Sequence, residues 1–140
     1  MITVTIVAGE AGLSCQTCTM NGVALASFTN TAGSTYTATY TVAEGNTDRA
    51  AGATPISIIL TDAAGNTNAA YTSLTESSAL VVDATKPTLT ITMASNNDDT
   101  SLAKSGDIIT LSITASESVT NLVCTIDGEA TSMGGSGTGW

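Results

Sequence analysis

Three cysteines carry the most reactive side chains in this sequence. Cys15 and Cys18 have the two-residue spacing of zinc and redox motifs, and Cys124 lies far along the chain. The sequence has no histidine and no second pair with this spacing, so a four-ligand zinc site cannot be assembled. A redox pair needs a helix N-terminus, whereas this pair lies in strand-like sequence, where positions three apart face opposite sides. We therefore expect Cys18 and Cys124 to be small core residues with free thiols, and Cys15 to be incidental.

The remaining motifs do not favour catalysis. Without histidine there is no Ser-His-Asp set. The glycine-rich segment 134–139 contains no lysine and precedes strand-like sequence, so it predicts a flexible loop and not a phosphate-binding turn. The carboxylates fall in turn-like sequence, where no pocket is indicated for a general acid and base. The sequence predicts a protein that is not an enzyme.

The charge balance restricts the partners. The net charge is −9, and the only cationic side chains are Arg49, Lys86 and Lys104. No basic stripe is available to neutralise phosphates, which argues against nucleic acid and against anionic lipid. No apolar run approaches 18 residues, so we expect no membrane insertion in this segment. An acidic surface suits an extracellular protein or one that recruits divalent cations.

The elements that must position these residues are β-strands. Apolar residues alternate with threonine in short segments separated by Gly, Asn, Asp and Ser, and Asn21-Gly22 is a strong two-residue hairpin turn. Aromatic residues make up only 4% of the chain, so the core must be mainly aliphatic. Short connections favour antiparallel pairing. Strands are predicted at residues 2–8, near Cys18 to Met20, and at 23–28, 35–42, 56–61, 69–82, 87–94, 107–115, 119–127 and 129–133.

Residues 109–128 nearly repeat residues 2–22. The run from Ile2 to Glu10 matches Ile109 to Glu117 at an offset of 107, and Cys18 to Gly22 matches Cys124 to Gly128 at an offset of 106. A period of this size is that of a domain. We therefore expect a window from a tandem array with two incomplete modules: residues 1–84, lacking a first strand, and residues 85–140, the N-terminal part of the next. Beyond Trp140 the reading frame should resemble the sequence that follows Tyr36.

Several motifs resemble those of a known group. They are Asp83-Ala84-Thr85-Lys86-Pro87, Ser95-Asn96-Asn97, Ala103-Lys104-Ser105-Gly106-Asp107, Ile113-Thr114-Ala115-Ser116-Glu117 and Thr61-Asp62-Ala63-Ala64-Gly65-Asn66. Together they look like bacterial immunoglobulin-like tandem repeats of large secreted and cell-surface proteins, often adhesins. The resemblance implies an all-β fold of antiparallel immunoglobulin-like β-sandwich modules in tandem, used as spacers or adhesive units.

The loop carboxylates support the hypothesis of one cation site. Calcium takes six to eight oxygen ligands, and the loops of an immunoglobulin-like sandwich cluster at its two ends. The loop after residue 43 and the linker should lie at the exit of the first module, and the loop with Glu117 at the entry of the second. Glu44, Asp48, Asp83 and Glu117 are therefore candidate calcium ligands at the junction. Solvated acidic turns are the competing interpretation of the same residues.

The expected function is structural. The sequence favours a non-catalytic spacer or adhesive module of a repetitive extracellular or cell-surface protein. Its partners would be neighbouring modules of the same chain, with surface glycan or self-association as further candidates. The alternative is an accessory immunoglobulin-like or carbohydrate-binding module of a secreted polysaccharide-degrading enzyme. Flanking sequence would separate the two, and a sugar-binding module would need an exposed aromatic strip.

Overall fold

The computed structural model describes residues 1–75, 79–131 and 134–140. In these residues the regular structure is β throughout, every strand pair is antiparallel and no helix occurs, which confirms the all-β antiparallel class. The chain divides into two compact units, Met1–Thr85 and Lys86–Trp140. The division falls after Thr85, one residue beyond the predicted boundary at Ala84.

The first unit contains two three-stranded sheets, in the orders β1-β5-β4 and β3-β2-β6. Both sheets contribute to one cluster of buried apolar side chains, which includes Val4, Met20, Tyr40, Ile58 and Val82. The threonine-rich alternation explains the orientation of β5, because its tyrosines and alanine are buried while its threonines are half-exposed. The strands are β1 (Ile2–Val7), β2 (Ser14–Met20), β3 (Val23–Ala24), β4 (Ala26–Ala32), β5 (Thr35–Tyr40) and β6 (Ile56–Thr61).

The second unit contains two hairpin-like pairs. β7 (Leu89–Ser95) pairs antiparallel with β8 (Ile109–Ala115) over seven residues. The short strands β9 (Thr125–Ile126) and β10 (Glu129–Ala130) form the other pair. Side chains on β8 supply the buried residues Ile113 and Ala115, whereas the apolar residues of β7 stay about half-exposed.

The pairing around β1 has a counterpart around β8. In the first unit Ile6 lies opposite Tyr36, and the Ala8 N–H donates to the Ser34 carbonyl at 2.9 Å. In the second unit the corresponding Ile113 exchanges two backbone hydrogen bonds with Trp140, at 2.9 and 3.0 Å. The repeat in the sequence is therefore accompanied by a repeat in backbone pairing.

The two hairpin turns are also alike. Asn21 and Gly22 have φ values of 54° and 77°, and Asp127 and Gly128 have φ values of 51° and 82°. Positive φ at both central residues is what a type I′ turn requires, and Asn-Gly and Asp-Gly are the pairs that adopt it most readily. The turn predicted at Asn21-Gly22 is confirmed.

The predicted strand at 69–82 does not form as a continuous element. Glu76, Ser77 and Ser78 lie outside the described residues, and around them only Tyr71 and Val82 make β-bridges, with Ile58 and Arg49. The Asn68 side chain explains the interruption: it accepts from the Leu60 N–H at 2.6 Å and donates to the Ile58 carbonyl at 3.1 Å. A side-chain amide thus takes ladder positions that the backbone would otherwise fill.

The predicted strand at 119–127 is mostly irregular. Only Thr125–Ile126 is a strand, and the Val119 N–H donates to the Gly137 carbonyl at 3.0 Å instead of entering a ladder. Asn121 has a φ of 58°, which is incompatible with an extended strand at that position. The predicted strand at 129–133 is reduced to Glu129–Ala130, and Ser132 and Met133 lie outside the described residues.

Cys18 is a core residue as expected, at 5% exposure. The free thiol expected at Cys18 and the incidental role expected for Cys15 were wrong, because the two form a disulfide with their Cα atoms 6.0 Å apart. A β-bulge in β2 provides the reason. Cys15 lies opposite Leu60 and Cys18 opposite Ile58, so one residue of β2 has no partner on β6. The extra residue, Gln16, shifts the alternation and brings both cysteines to the same face. Cys124 is the remaining free thiol and is half-buried, not a fully buried core residue.

Thiol counting tests this arrangement. Under denaturing, non-reducing conditions, we expect one reactive thiol per chain, at Cys124, and a mapped link between Cys15 and Cys18. The paired change of Cys15 and Cys18 to serine should lower the free energy of unfolding by about 2 kcal/mol, as loop-closure entropy predicts for so short a loop. Three reactive thiols, or a disulfide that includes Cys124, would contradict the bulged register.

Candidate functional site

A cavity of about 670 Å³ lies beside β1 in the first unit. We name it the β1 cleft. Residues Val4 to Gly9 form one wall, and Ile58, Leu60 and Leu74 form much of the other. Glu10, Asp62 and Asn66 add polar groups at the lining. The cleft therefore has a mixed lining of apolar and polar side chains that includes two carboxylates.

The outer edge of β1 borders this cleft. β1 is the terminal strand of its sheet, and among the described residues no strand pairs with its outer edge. In an antiparallel ladder, alternate residues direct both backbone groups toward the partner and the others direct both away. Ala8 donates toward β5, so Thr3, Thr5 and Val7 direct their N–H and C=O groups outward. Val7 is 77% exposed.

Exposed aromatic surface is sparse in the first unit. Tyr36 and Tyr40 are each 1% exposed, and the half-buried Phe28 stacks on Tyr36 with ring centroids 5.1 Å apart. Tyr71 is 51% exposed and lies at the lining of the β1 cleft. One exposed tyrosine is available beside the cleft, and it does not make an aromatic strip.

A buried polar network lies at the turn after β2. The Asn21 side chain donates to the Tyr40 hydroxyl at 3.2 Å and to the Thr47 carbonyl at 2.7 Å, and accepts from the Arg49 Nε–H at 2.8 Å. The Tyr40 hydroxyl in turn donates to Asn46 at 2.9 Å. Asn21 is only 7% exposed, and the network satisfies each of its side-chain polar atoms. Its role is to fix the segment 43–49, and sequence reasoning found the turn but not the network.

Asp48 stabilises the end of the first unit. Its carboxylate accepts from the Ala84 N–H and from the Thr85 hydroxyl, each at 2.7 Å. These two hydrogen bonds, led by that of the Ala84 N–H, lower the pKa of Asp48 below its ordinary value of 3.8. The same kind of local bonding lowers the pKa of Asp62, chiefly through the side chain and N–H of Asn66.

The four predicted calcium ligands are distributed over both units. Glu44, Asp48 and Asp83 belong to the first unit and are exposed, and Glu117 belongs to the second and is half-buried. Within the described part of the chain, His, Cys, Asp and Glu side chains form no group of three or more suited to a metal ion. Convergence of the four at a junction stays a prediction.

The glycine-rich segment forms a turn in its described part, residues 134–139. Ser136 and Gly139 are bridged by backbone hydrogen bonds. Gly135 has a φ of 108°, and a Cβ at this position would collide with the Gly139 carbonyl. Glycine is needed here for close backbone approach.

Comparison with protein-family models, curated proteins and solved structures finds no match to this chain. No helix in the described residues has the length and apolar character to cross a membrane.

The Asn21 network makes a stability prediction. Asn21→Ala should lower the free energy of unfolding by about 2–3 kcal/mol, because Tyr40, Thr47 and Arg49 each lose a hydrogen bond to a side chain that is itself buried. Asn21→Gly should lower the free energy of unfolding by nearly as much, although glycine adopts the positive φ freely. Asn30→Ala, which removes one exposed hydrogen bond to Gly33, is the control and should change stability by less than about 0.5 kcal/mol. Urea unfolding measures all three, and an Asn21→Gly value as small as the control would show that the network contributes little.

Asp48 makes a pH prediction. Because its folded pKa is lowered, its stabilising effect is present above the ordinary value of 3.8 and is lost as the pH falls through the folded pKa. The difference in melting temperature between the native chain and Asp48→Asn should therefore be largest near neutral pH and vanish in acid. Asp83→Asn makes an equal charge change at an exposed residue of the same region and is the control for the loss of a carboxylate as such. A difference between the native chain and Asp48→Asn that stays constant with pH would contradict the assignment.

Proposed function

We propose that this chain is a non-catalytic spacer or adhesive segment of a repetitive extracellular protein. The observation that carries the proposal is the repeated unit: the Ile6–Tyr36 pairing and the type I′ turn of the first unit recur as Ile113–Trp140 and Asp127-Gly128. Repeated pairing at a domain-sized period is what an array of similar modules requires. The immunoglobulin-like character of these modules is part of the proposal.

Two further observations support an extracellular location. The Cys15–Cys18 disulfide suits an oxidising compartment, since cytosolic thiols are kept reduced. The net charge of −9 with only three cationic side chains favours solubility and disfavours nucleic acid and anionic lipid. A bacterial cell surface is the setting that the sequence resemblance implies.

The second candidate function is that of an accessory module in a secreted polysaccharide-degrading enzyme. The observation in its favour is Tyr71, which is half-exposed at a cleft whose lining includes polar groups such as Glu10, Asp62 and Asn66. Sugar platforms use exposed aromatic faces together with hydrogen-bonding groups, and one tyrosine provides a minimal version of this arrangement.

Accessibility on intact cells tests the first proposal. Cells that carry the gene are treated with a protease that cannot enter them, and peptides from residues 1–140 are measured in the released fraction. We expect release from intact cells, with a cytosolic protein as the negative control. Protection until lysis would overturn the surface assignment.

Polysaccharide binding tests the second candidate. Retention of the purified chain on insoluble polysaccharide, and loss of that retention in Tyr71→Ala, would favour it.

A further inference from the structure

The outer face of the β1-β5-β4 sheet is uncharged and rich in threonine. The tyrosines and alanine of β5 are buried, so its threonines face outward, and the residues opposite them on β1 and β4 lie on the same face. We name this surface the threonine face. Its residues are Thr3, Thr5 and Val7 on β1, Thr35, Thr37 and Thr39 on β5, and Ala26, Thr29 and Ala32 on β4.

The second unit has the same kind of face. Ile113 and Ala115 of β8 are buried, so the opposite side of β8 faces outward. β7 pairs with β8 in the plane of the sheet and adds its own outward residues beside those of β8. A strand that joins the edge of a sheet thus widens the outer face and does not cover it. The outward residues are Thr110, Ser112 and Thr114 on β8, and Thr90, Thr92 and Ala94 on β7.

Hydroxyl groups at the centre of the threonine face have no partner within the described part of the chain. Thr5 lies directly opposite Thr37, and neither hydroxyl makes a hydrogen bond there. The Thr39 hydroxyl donates to the Ala26 carbonyl at 3.4 Å and keeps its acceptor lone pairs. Because a hydroxyl both donates and accepts, a surface of hydroxyls can pair with an identical surface. A surface of carboxylates or of amines cannot do so.

Charge restricts where two copies of the chain can approach each other. The net charge is −9, so two copies repel each other at long range. Among the described residues, no strand of the first unit contains a charged residue. The carboxylates lie in the connecting segments, as Glu10, Glu44 and Asp62 do. Repulsion between copies is therefore weakest where their sheet faces meet.

Regular pairing distinguishes the threonine face from the outer face of the β3-β2-β6 sheet. β1 pairs with β5 from Ile2 to Val7 without a shift in register. The other sheet is also uncharged, but the β-bulge at Gln16 interrupts β2, and a bulge bends and twists its strand. Face-to-face packing of sheets requires rows of side chains that interdigitate. The β1–β5 pair provides such rows, and its outward side chains are all threonine or valine.

We propose that the threonine face is a self-association surface, and that its occupant is the threonine face of a second copy of this chain. Thr5 and Thr37 donate to and accept from hydroxyls of the other copy. Val7, which is 77% exposed, packs against apolar atoms at the end of the contact. The inference rests on the proposed adhesive function and deepens it, because it names the surface and the partner.

The size of the face predicts a weak contact. Its nine residues cover roughly 300 Å², with strands about 4.8 Å apart and one outward residue per ~6.8 Å of strand. A stable interface needs about 800 Å² on each partner. Isolated chains should therefore be monomeric at micromolar concentration and associate as the concentration approaches millimolar. An array that repeats the face would gain affinity from the number of contacts.

Threonine methyl signals in the NMR spectrum of the full chain locate the contact. We expect the signals of Thr3, Thr5 and Thr37 to shift and approach saturation as the chain is concentrated from micromolar to millimolar. The signals of Thr17 and Thr19, on the outer face of the other sheet, should stay constant. Absence of concentration-dependent shifts, or shifts confined to Thr17, Thr19 or loop residues, would overturn the proposal.

Two variants with the same charge change form a matched pair. Thr5→Glu places a carboxylate on the threonine face, where it would meet the threonine face of the other copy, and should weaken association by at least about tenfold. Thr17→Glu places the same charge on the other sheet and should weaken association by less than about threefold. Circular dichroism checks folding, and Thr29→Glu on β4 replaces Thr5→Glu if that variant does not fold. Equal weakening on both sheets would overturn the proposal.

Salt dependence separates this contact from one made by the loop carboxylates. Sodium chloride should strengthen association, because it screens the repulsion between acidic copies, and calcium chloride at equal ionic strength should do no more. Weakening by salt, or strengthening specific to calcium, would assign the association to the loops and overturn the proposal. These measurements use the purified chain. Their failure would leave the protease result on intact cells unchanged, and a cytosolic location would leave the measured association unchanged.

Discussion

Two buried tyrosine hydroxyls determine how the first unit is built. Tyr36 and Tyr40 lie on the inner face of β5 and are the largest fully buried side chains of the described residues. A hydroxyl that leaves water must find a partner, or its burial is unfavourable. Tyr36 accepts from the Leu13 N–H and donates to the Glu10 carbonyl, and Tyr40 bonds Asn21 and Asn46. Each tyrosine therefore determines the path of a loop, and those loops connect one sheet to the other.

Much of the strand pattern could be predicted from the sequence, because alternation of threonine with apolar residues is a local signal. β1, β5, β6, β7 and β8 follow it closely. The signal fails where a side chain or an extra residue replaces a regular backbone contact. Asn68 interrupts the segment after β6, and Gln16 shifts the face of Cys15, and neither effect can be read from periodicity.

The candidate sites also include features that the sequence predicts and features that it does not. The correspondence of β1 with β8 could be predicted from the repeat, because Ile2 aligns with Ile109. The cleft itself could not be predicted, because its second wall comes from β6 and the region of Leu74, which are distant in sequence. Asp48 was predicted as a cation ligand, which stays a prediction; what the sequence did not predict is that its carboxylate accepts from the Ala84 N–H and the Thr85 hydroxyl. Proximity of carboxylates in a loop does not reveal which local donors they accept from.

The Asn21-Gly22 turn also bears on how the molecule ages. An asparagine followed by glycine is chemically labile, because the glycine nitrogen can attack the side-chain amide carbon and release ammonia. That attack needs the asparagine side chain to rotate and the turn to relax. Here both ends of the Asn21 amide are engaged with Tyr40, Thr47 and Arg49, and the residue is 7% exposed. The network that supports the fold thus also preserves the covalent integrity of the Asn21-Gly22 dipeptide.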